Sequence, residues 1–182
     1  MNIKSKLGRA AGVAAAVVIG GLSLAGTASA STARPAVNGP VYGCVFQTVN
    51  GHYLTAVGGG GRTTDVIHTD AVAIGAWEKF TLVDSGDGSP SIHYGLLTGN
   101  GHYLTAVGGG GRVTDVIHSD ATLLRAWEKF SLVSLGQGVY AVETINGHYL
   151  TAVGGGGRVT GAIHSDATRV LAWEEFRVTC GH

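Results

Sequence analysis

The chain has 182 residues, with 12 basic and 12 acidic side chains. Its first thirty residues carry three of the basic groups and no acidic one, so the remainder holds 9 basic against 12 acidic, a net charge of −3. A surface of that sign excludes nucleic acid and anionic lipid as expected partners.

Lys4, Lys6 and Arg9 precede an apolar run from Ala10 to Gly26, and Ala28-Ser29-Ala30 is a small-x-small cleavage site. This is the pattern of a secretory signal peptide over residues 1–30, and it predicts a secreted, extracellular protein starting at Ser31. The run is short for a membrane anchor, and no other stretch is apolar and long enough for a membrane span. Residues 31–42 read as an N-terminal arm. Within it, Ser31–Pro40 holds two prolines and no periodicity, which suits an extended segment. The domain is expected over residues 43–182. Two cysteines, Cys44 and Cys180, stand near its two ends, and in an exported chain such a pair is expected to form a disulfide joining the first strand to the last.

The domain is dominated by self-similarity. NGHYLTAVGGGGR occupies residues 50–62 and returns unchanged at 100–112 and 146–158. A looser echo follows each copy: AWEKF at 76–80, AWEKF at 126–130 and AWEEF at 172–176. Three modules are implied, at about 43–92, 93–138 and 139–182. Each opens with a strand (Cys44–Val49, Tyr94–Gly99, Tyr140–Ile145). An Asn-Gly hairpin follows, expected as a type I′ turn with positive φ at both central residues. The return strand is His-Tyr-Leu-Thr-Ala-Val. A second hairpin is placed at the four glycines, a third strand at Arg62–His68, and a fourth at Glu78–Val83 with its copies.

Alternation assigns the faces. Phe46, Leu96 and Val142 align and point inward. So do Leu54, Leu104 and Leu150 on the return strand, and Phe80, Phe130 and Phe176 on the fourth. No stripe of helical period occurs after residue 30. The expected fold class is therefore all-β, with about twelve strands in three four-stranded repeats.

NGHYLTAV followed some twenty residues later by WEKF resembles the fascin-like β-trefoil repeat, and the hisactophilins are similar in fold. The resemblance covers nearly all of residues 43–180. It implies a β-trefoil, with six strands in a barrel and six capping one end. Fascins bundle actin with several trefoils; one exported trefoil does not carry that activity over, and actin is not expected as a partner.

The polar residues recur in threes: His52/His102/His148, Arg62/Arg112/Arg158, His68/His118/His164, Asp70/Asp120/Asp166 and Glu78/Glu128/Glu174. Asp65 and Asp115 have no third copy, because Gly161 stands there. Catalysis needs an asymmetric nucleophile–base–orienter set, which a three-fold pattern does not supply, so no catalytic residues are assigned and an enzyme is not expected. The glycine run lacks the Gly-Lys-Ser/Thr ending and following helix of a phosphate loop. His68-x-Asp70 offers too few ligands for a closed metal site, so Asp70 is read as a turn cap and His68 as half-buried; no metal or other cofactor is expected. Trp77, Trp127 and Trp173 are read as core plugs closing one end of the barrel, with the neighbouring glutamates accepting hydrogen bonds nearby, against the alternative of sugar stacking. The four glycines exceed what a hairpin needs, which suggests a flexible rim or a close backbone approach to a ligand. Eight histidines suggest pH-dependent behaviour.

These features lead to a non-enzymatic module with up to three equivalent ligand sites. By analogy with other exported trefoils the ligand is carbohydrate. The candidate residues are Tyr53, Arg62, Asp65 and His68, then Tyr103, Arg112, Asp115 and His118, then Tyr149, Arg158 and His164. The alternative is an adaptor for a secreted protein partner, in a toxin or competition complex, docking through the N-terminal arm.

Overall fold

A computed structural model describes residues 39–182; the signal-peptide segment and most of the arm lie outside the described residues. The described residues form twelve strands: β1 Val41–Gln47, β2 Tyr53–Ala56, β3 Ile67–Ala71, β4 Phe80–Asp84, β5 His93–Leu97, β6 Tyr103–Ala106, β7 Ile117–Ala121, β8 Phe130–Gly136, β9 Val139–Thr144, β10 Tyr149–Ala152, β11 Ile163–Ala167 and β12 Glu175–Thr179. Val41 and Tyr42, assigned to the arm from sequence, belong to β1.

Six strands close a ring. β1 pairs with β4, β4 with β5, β5 with β8, β8 with β9, β9 with β12, and β12 with β1, all antiparallel. Closure removes the sheet edges that would otherwise expose unpaired backbone. The other six strands form three hairpins, β2–β3, β6–β7 and β10–β11, each with the same register. In the first, Thr55 faces His68 and Ala56 faces Ile67. The architecture is a β-trefoil of three four-stranded repeats, as the repeat pattern predicts.

The inward alternation is realised. Phe46, Phe80, Phe130, Phe176, Leu96 and Leu104 are fully buried, with Leu54, Leu150 and Val142 almost so. Phe46 meets Phe80 and Phe176 edge-on, with ring centroids 5.7 and 6.5 Å apart. Each such ring stabilises the fold by roughly 1.5–3 kcal/mol through apolar burial. The Cys44–Cys180 disulfide is formed, and beside it β12 pairs with β1. Among the described residues, no helix is long and apolar enough to cross a membrane.

Several local expectations are corrected. The Asn-Gly turn is not type I′. Gly51 has φ +84° and donates to Thr48 O at 2.9 Å, while Asn50 keeps a negative φ. That is a four-residue turn ending on a left-handed glycine. The third strand starts at Ile67 rather than Arg62. Asp65 has φ +49°, which no extended strand accommodates. The fourth starts at Phe80, because Glu78 turns inward to bond the preceding loop. Asp70 caps no turn; it lies exposed within β3.

The glycine run is not a flexible rim. Gly58 to Gly61 have φ values of +67°, +80°, +101° and +85°, a path that only glycine follows freely. The two other repeats reproduce it within a few degrees. The path fits the next repeat. Asn100 donates its backbone N–H to Gly59 O at 3.0 Å and its Nδ2 to Gly58 O at 2.8 Å. A Cβ on Gly59 would stand 2.9 Å from Asn100 Oδ1. Gly61 then donates to Ser119 O at 2.6 Å, and Ser119 N–H donates to Arg62 O at 2.8 Å. Gly111 and Arg112 make the same pair of bonds with Ser165, and Gly157 and Arg158 with Thr69. The clasp runs from repeat 1 to 2, 2 to 3, and 3 back to 1. NGHYLTAVGGGGR therefore holds both halves of one inter-repeat contact.

Candidate functional site

The candidate polar residues gather after the glycine run. The Arg62 side chain folds back past Gly58, its Nε donating to Thr64 O at 3.2 Å and its Nη2 to Asp65 Oδ2 at 3.3 Å. His68 Nε2 donates to Asp65 Oδ1 at 2.6 Å. The bond from His68, then the charges of His68 and Arg62, hold the Asp65 carboxyl below its ordinary range. Repeat 2 copies the arrangement: Arg112 Nη2 to Asp115 Oδ2 at 3.4 Å and His118 Nε2 to Asp115 Oδ1 at 2.7 Å. In repeat 3 Arg158 Nε still donates to Thr160 O at 3.2 Å, but Gly161 offers no carboxylate to Arg158 or His164.

The tyrosines do not join these clusters. Tyr53 pairs with Gln47 and Ala71 at the end of the hairpin away from Asp65, and Tyr103 and Tyr149 repeat that register. Tyr103 also packs tightly on Gly95, where a Cβ would stand 2.8 Å from its ring. The Tyr103 ring thus packs between hairpin and barrel.

The tryptophans are not core plugs. Trp77, Trp127 and Trp173 are 51%, 50% and 50% exposed. The buried member of each Trp-Glu pair is the glutamate. Glu78 accepts from Thr55 Oγ1 at 2.8 Å and from Gly75 N–H at 2.7 Å. Glu128 does so with Thr105 and Arg125, and Glu174 with Thr151 and Leu171. Each carboxylate thus ties the tryptophan loop to the hairpin, while Trp77 O accepts from Ala56 N–H at 2.9 Å. The segment Ala126–Glu128 packs on the glycine turn Val107–Gly109, and Ala172–Glu174 packs on Val153–Gly155. The Arg112 side chain reaches to the same turn. The glutamates accept hydrogen bonds as expected, with Thr55, Thr105 and Thr151 among the donors, but the glutamate rather than the tryptophan of each pair lies inside.

Where the three hairpin ends meet, a depression of about 570 Å³ opens, lined equally by residues 63–67, 113–117 and 159–163. Three-fold lining places it on the pseudo-symmetry axis. Val66, Val116 and Ala162 are buried at its base, and Asp65, Asp115 and Gly161 stand at equivalent exposed positions around it. Among the described residues, no three His, Cys, Asp or Glu side chains are grouped to hold a metal ion.

No protein-family model matches the chain, and no curated protein matches it in sequence. Solved structures match it in shape. A designed three-fold symmetric protein, ThreeFoil, is 17% identical with a TM-score of 0.61, over 75% of this chain and 96% of that one. SeviL, solved bound to asialo-GM1 saccharide, is 13% identical with a TM-score of 0.57, over 78% and 99%. The Rhizoctonia solani agglutinin is 12% identical with a TM-score of 0.56, over 77% and 96%. At such identities the likeness is one of fold.

Proposed function

We propose that this chain is an exported, non-enzymatic, lectin-like module that binds carbohydrate at three pseudo-equivalent surfaces. One observation carries the reading: each repeat holds a half-exposed tryptophan on a loop fixed by a buried glutamate. Leaving an indole half in water forgoes apolar burial that the core would reward, and a fixed aromatic plate is what the C–H face of a pyranose stacks on. The Arg62, Asp65, His68 cluster and its copies supply side-chain donors on the adjoining turn, with a carboxylate acceptor in repeats 1 and 2. Three weak sites in one rigid body gain by avidity on a glycan-bearing surface. The saccharide complex of SeviL and the agglutinin of R. solani support the reading by analogy of fold. Kinship with the fascin-like repeats is part of this proposal.

The test is a glycan array probed with the purified protein and with the Trp77→Ala, Trp127→Ala, Trp173→Ala triple variant. We expect binding by the first and its loss in the second, with the far-ultraviolet spectrum unchanged. Silence of the native protein across the array at high concentration would overturn the proposal. So would capture of a stoichiometric secreted protein that depends on residues 31–40, which would favour the adaptor reading.

A further inference from the structure

Repeat 3 differs from its neighbours by a missing carboxylate in an otherwise conserved frame. Asp65 and Asp115 have φ +49°, and Gly161 has φ +52°, so the backbone path is the same. Arg158 is anchored to Thr160 O at the 3.2 Å seen for Arg62 and Arg112 with their own threonines. His164 faces Thr151 across the hairpin as His68 faces Thr55. A Cβ at Gly161 would have nothing within 4 Å, so the space of the absent side chain is open. Arg158 is exposed where Arg62 and Arg112 are half-buried. Arg158 is therefore held as Arg62 and Arg112 are, and His164 stands at the register of His68 and His118. In repeats 1 and 2 each such pair grips a carboxylate, and among the described residues no carboxylate stands in its place in repeat 3.

We propose that repeat 3 is a carboxylate-binding site, with Arg158 and His164 holding the acid group of an acidic saccharide where the other repeats place an aspartate. The assignment rests on the carbohydrate reading above and names the class of sugar. A carboxylate matches the site because repeats 1 and 2 display the complex: one oxygen on the guanidinium, the other on the imidazole. Gly161 lies on the rim of the axial depression, exposed to solvent, so a ring attached to the carboxylate has room. Repeats 1 and 2 are self-filled and bind neutral ligands only.

The test uses calorimetry with methyl glucuronide, methyl glucoside and acetate as probes. The native protein is expected to bind the glucuronide at one site, at least tenfold more tightly than the glucoside. Gly161→Asp rebuilds the internal carboxylate at a φ that aspartate already adopts twice in this chain, so the variant should fold and lose the preference. Gly161→Asn fills the same space without charge and should also lose it. Asp65→Gly should open a second site. A Gly161→Asp variant that still prefers the glucuronide, or a native protein with no preference, overturns the assignment. If the native protein and Gly161→Asp bind array glycans alike with no acid preference, this inference fails while the carbohydrate reading stands. If acetate binds as tightly as the glucuronide and Gly161→Asp abolishes both, the saccharide part of the inference falls.

Discussion

Gly60 lies against the side chain of Thr98, one repeat further on, so closely that a Cβ on Gly60 would overlap the threonine hydroxyl and stand 2.9 Å from its Cβ. The glycine has φ +101° and ψ −176°, a region closed to other residues. Gly58, two residues earlier, also has positive φ, but a Cβ there would meet only the Arg62 side chain at 3.9 Å. Gly60→Ala should therefore cost about 3 kcal/mol or more, from strain and overlap together, and Gly58→Ala about 1–2 kcal/mol from strain alone. Urea denaturation of the two variants measures this. Equal losses would refute the clasp as a packing constraint.

The buried glutamates should behave as structural acceptors. Glu128→Ala leaves the Thr105 hydroxyl and the Arg125 N–H without their partner, at a cost of about 2–4 kcal/mol. Thr105→Val should cost about 1–2 kcal/mol, since Glu128 keeps its backbone donor. A double-mutant cycle with a coupling energy near zero would show that the pair is incidental.

Phe130 and Trp127 stand three residues apart yet lie on opposite sides of the burial boundary. Phe130 is fully enclosed, and Phe130→Ala should cost about 3–5 kcal/mol. Trp127→Ala should cost about 1 kcal/mol, because the indole is half in water. Comparable losses would return the tryptophan to the core and remove its claim to be a binding surface.

Acid should weaken the loop over residues 85–92. Asp87 accepts from Ser89 N–H at 3.0 Å, His93 Nδ1 at 2.8 Å and Lys129 Nζ at 3.0 Å, and these donors hold its carboxyl well below the ordinary 3.8. The folded state thus prefers the ionised form. The stabilisation is complete above the ordinary carboxylate value and is lost as pH falls from there towards the lower folded value. Native protein should melt at a higher temperature than Asp87→Asn at pH 6, with the gap narrowing between pH 4 and pH 2. A gap that stays constant with pH would show that Asp87 acts by shape alone.

How much of this could be read from the chain depended on whether a residue's role was local. Period-two alternation located Phe46, Leu54, Phe80 and their copies in the core, and the three-fold recurrence gave the trefoil. The failures were relational. Gly58–Gly61 looked excessive for a turn because the partner that shapes them, Asn100, lies in the next repeat. Trp77 looked like the plug because indoles are apolar, whereas Glu78 won the interior once Thr55 and Gly75 satisfied its carboxylate. Tyr53 alternates correctly but sits at the far end of its hairpin from Asp65, a separation set by register. The third-repeat gap at Gly161 was visible as a departure from the pattern; that the space of the missing side chain is open, on a backbone of unchanged path, needed all three copies side by side.

The ring of contacts between glycine loops and Asn-Gly turns has no seam. Every module carries a tongue and the groove for a tongue, and the third engages the first as the first engages the second. A polypeptide of one module already carries both sides of this particular contact. The same thirteen residues therefore both shape a module and join it to its neighbours.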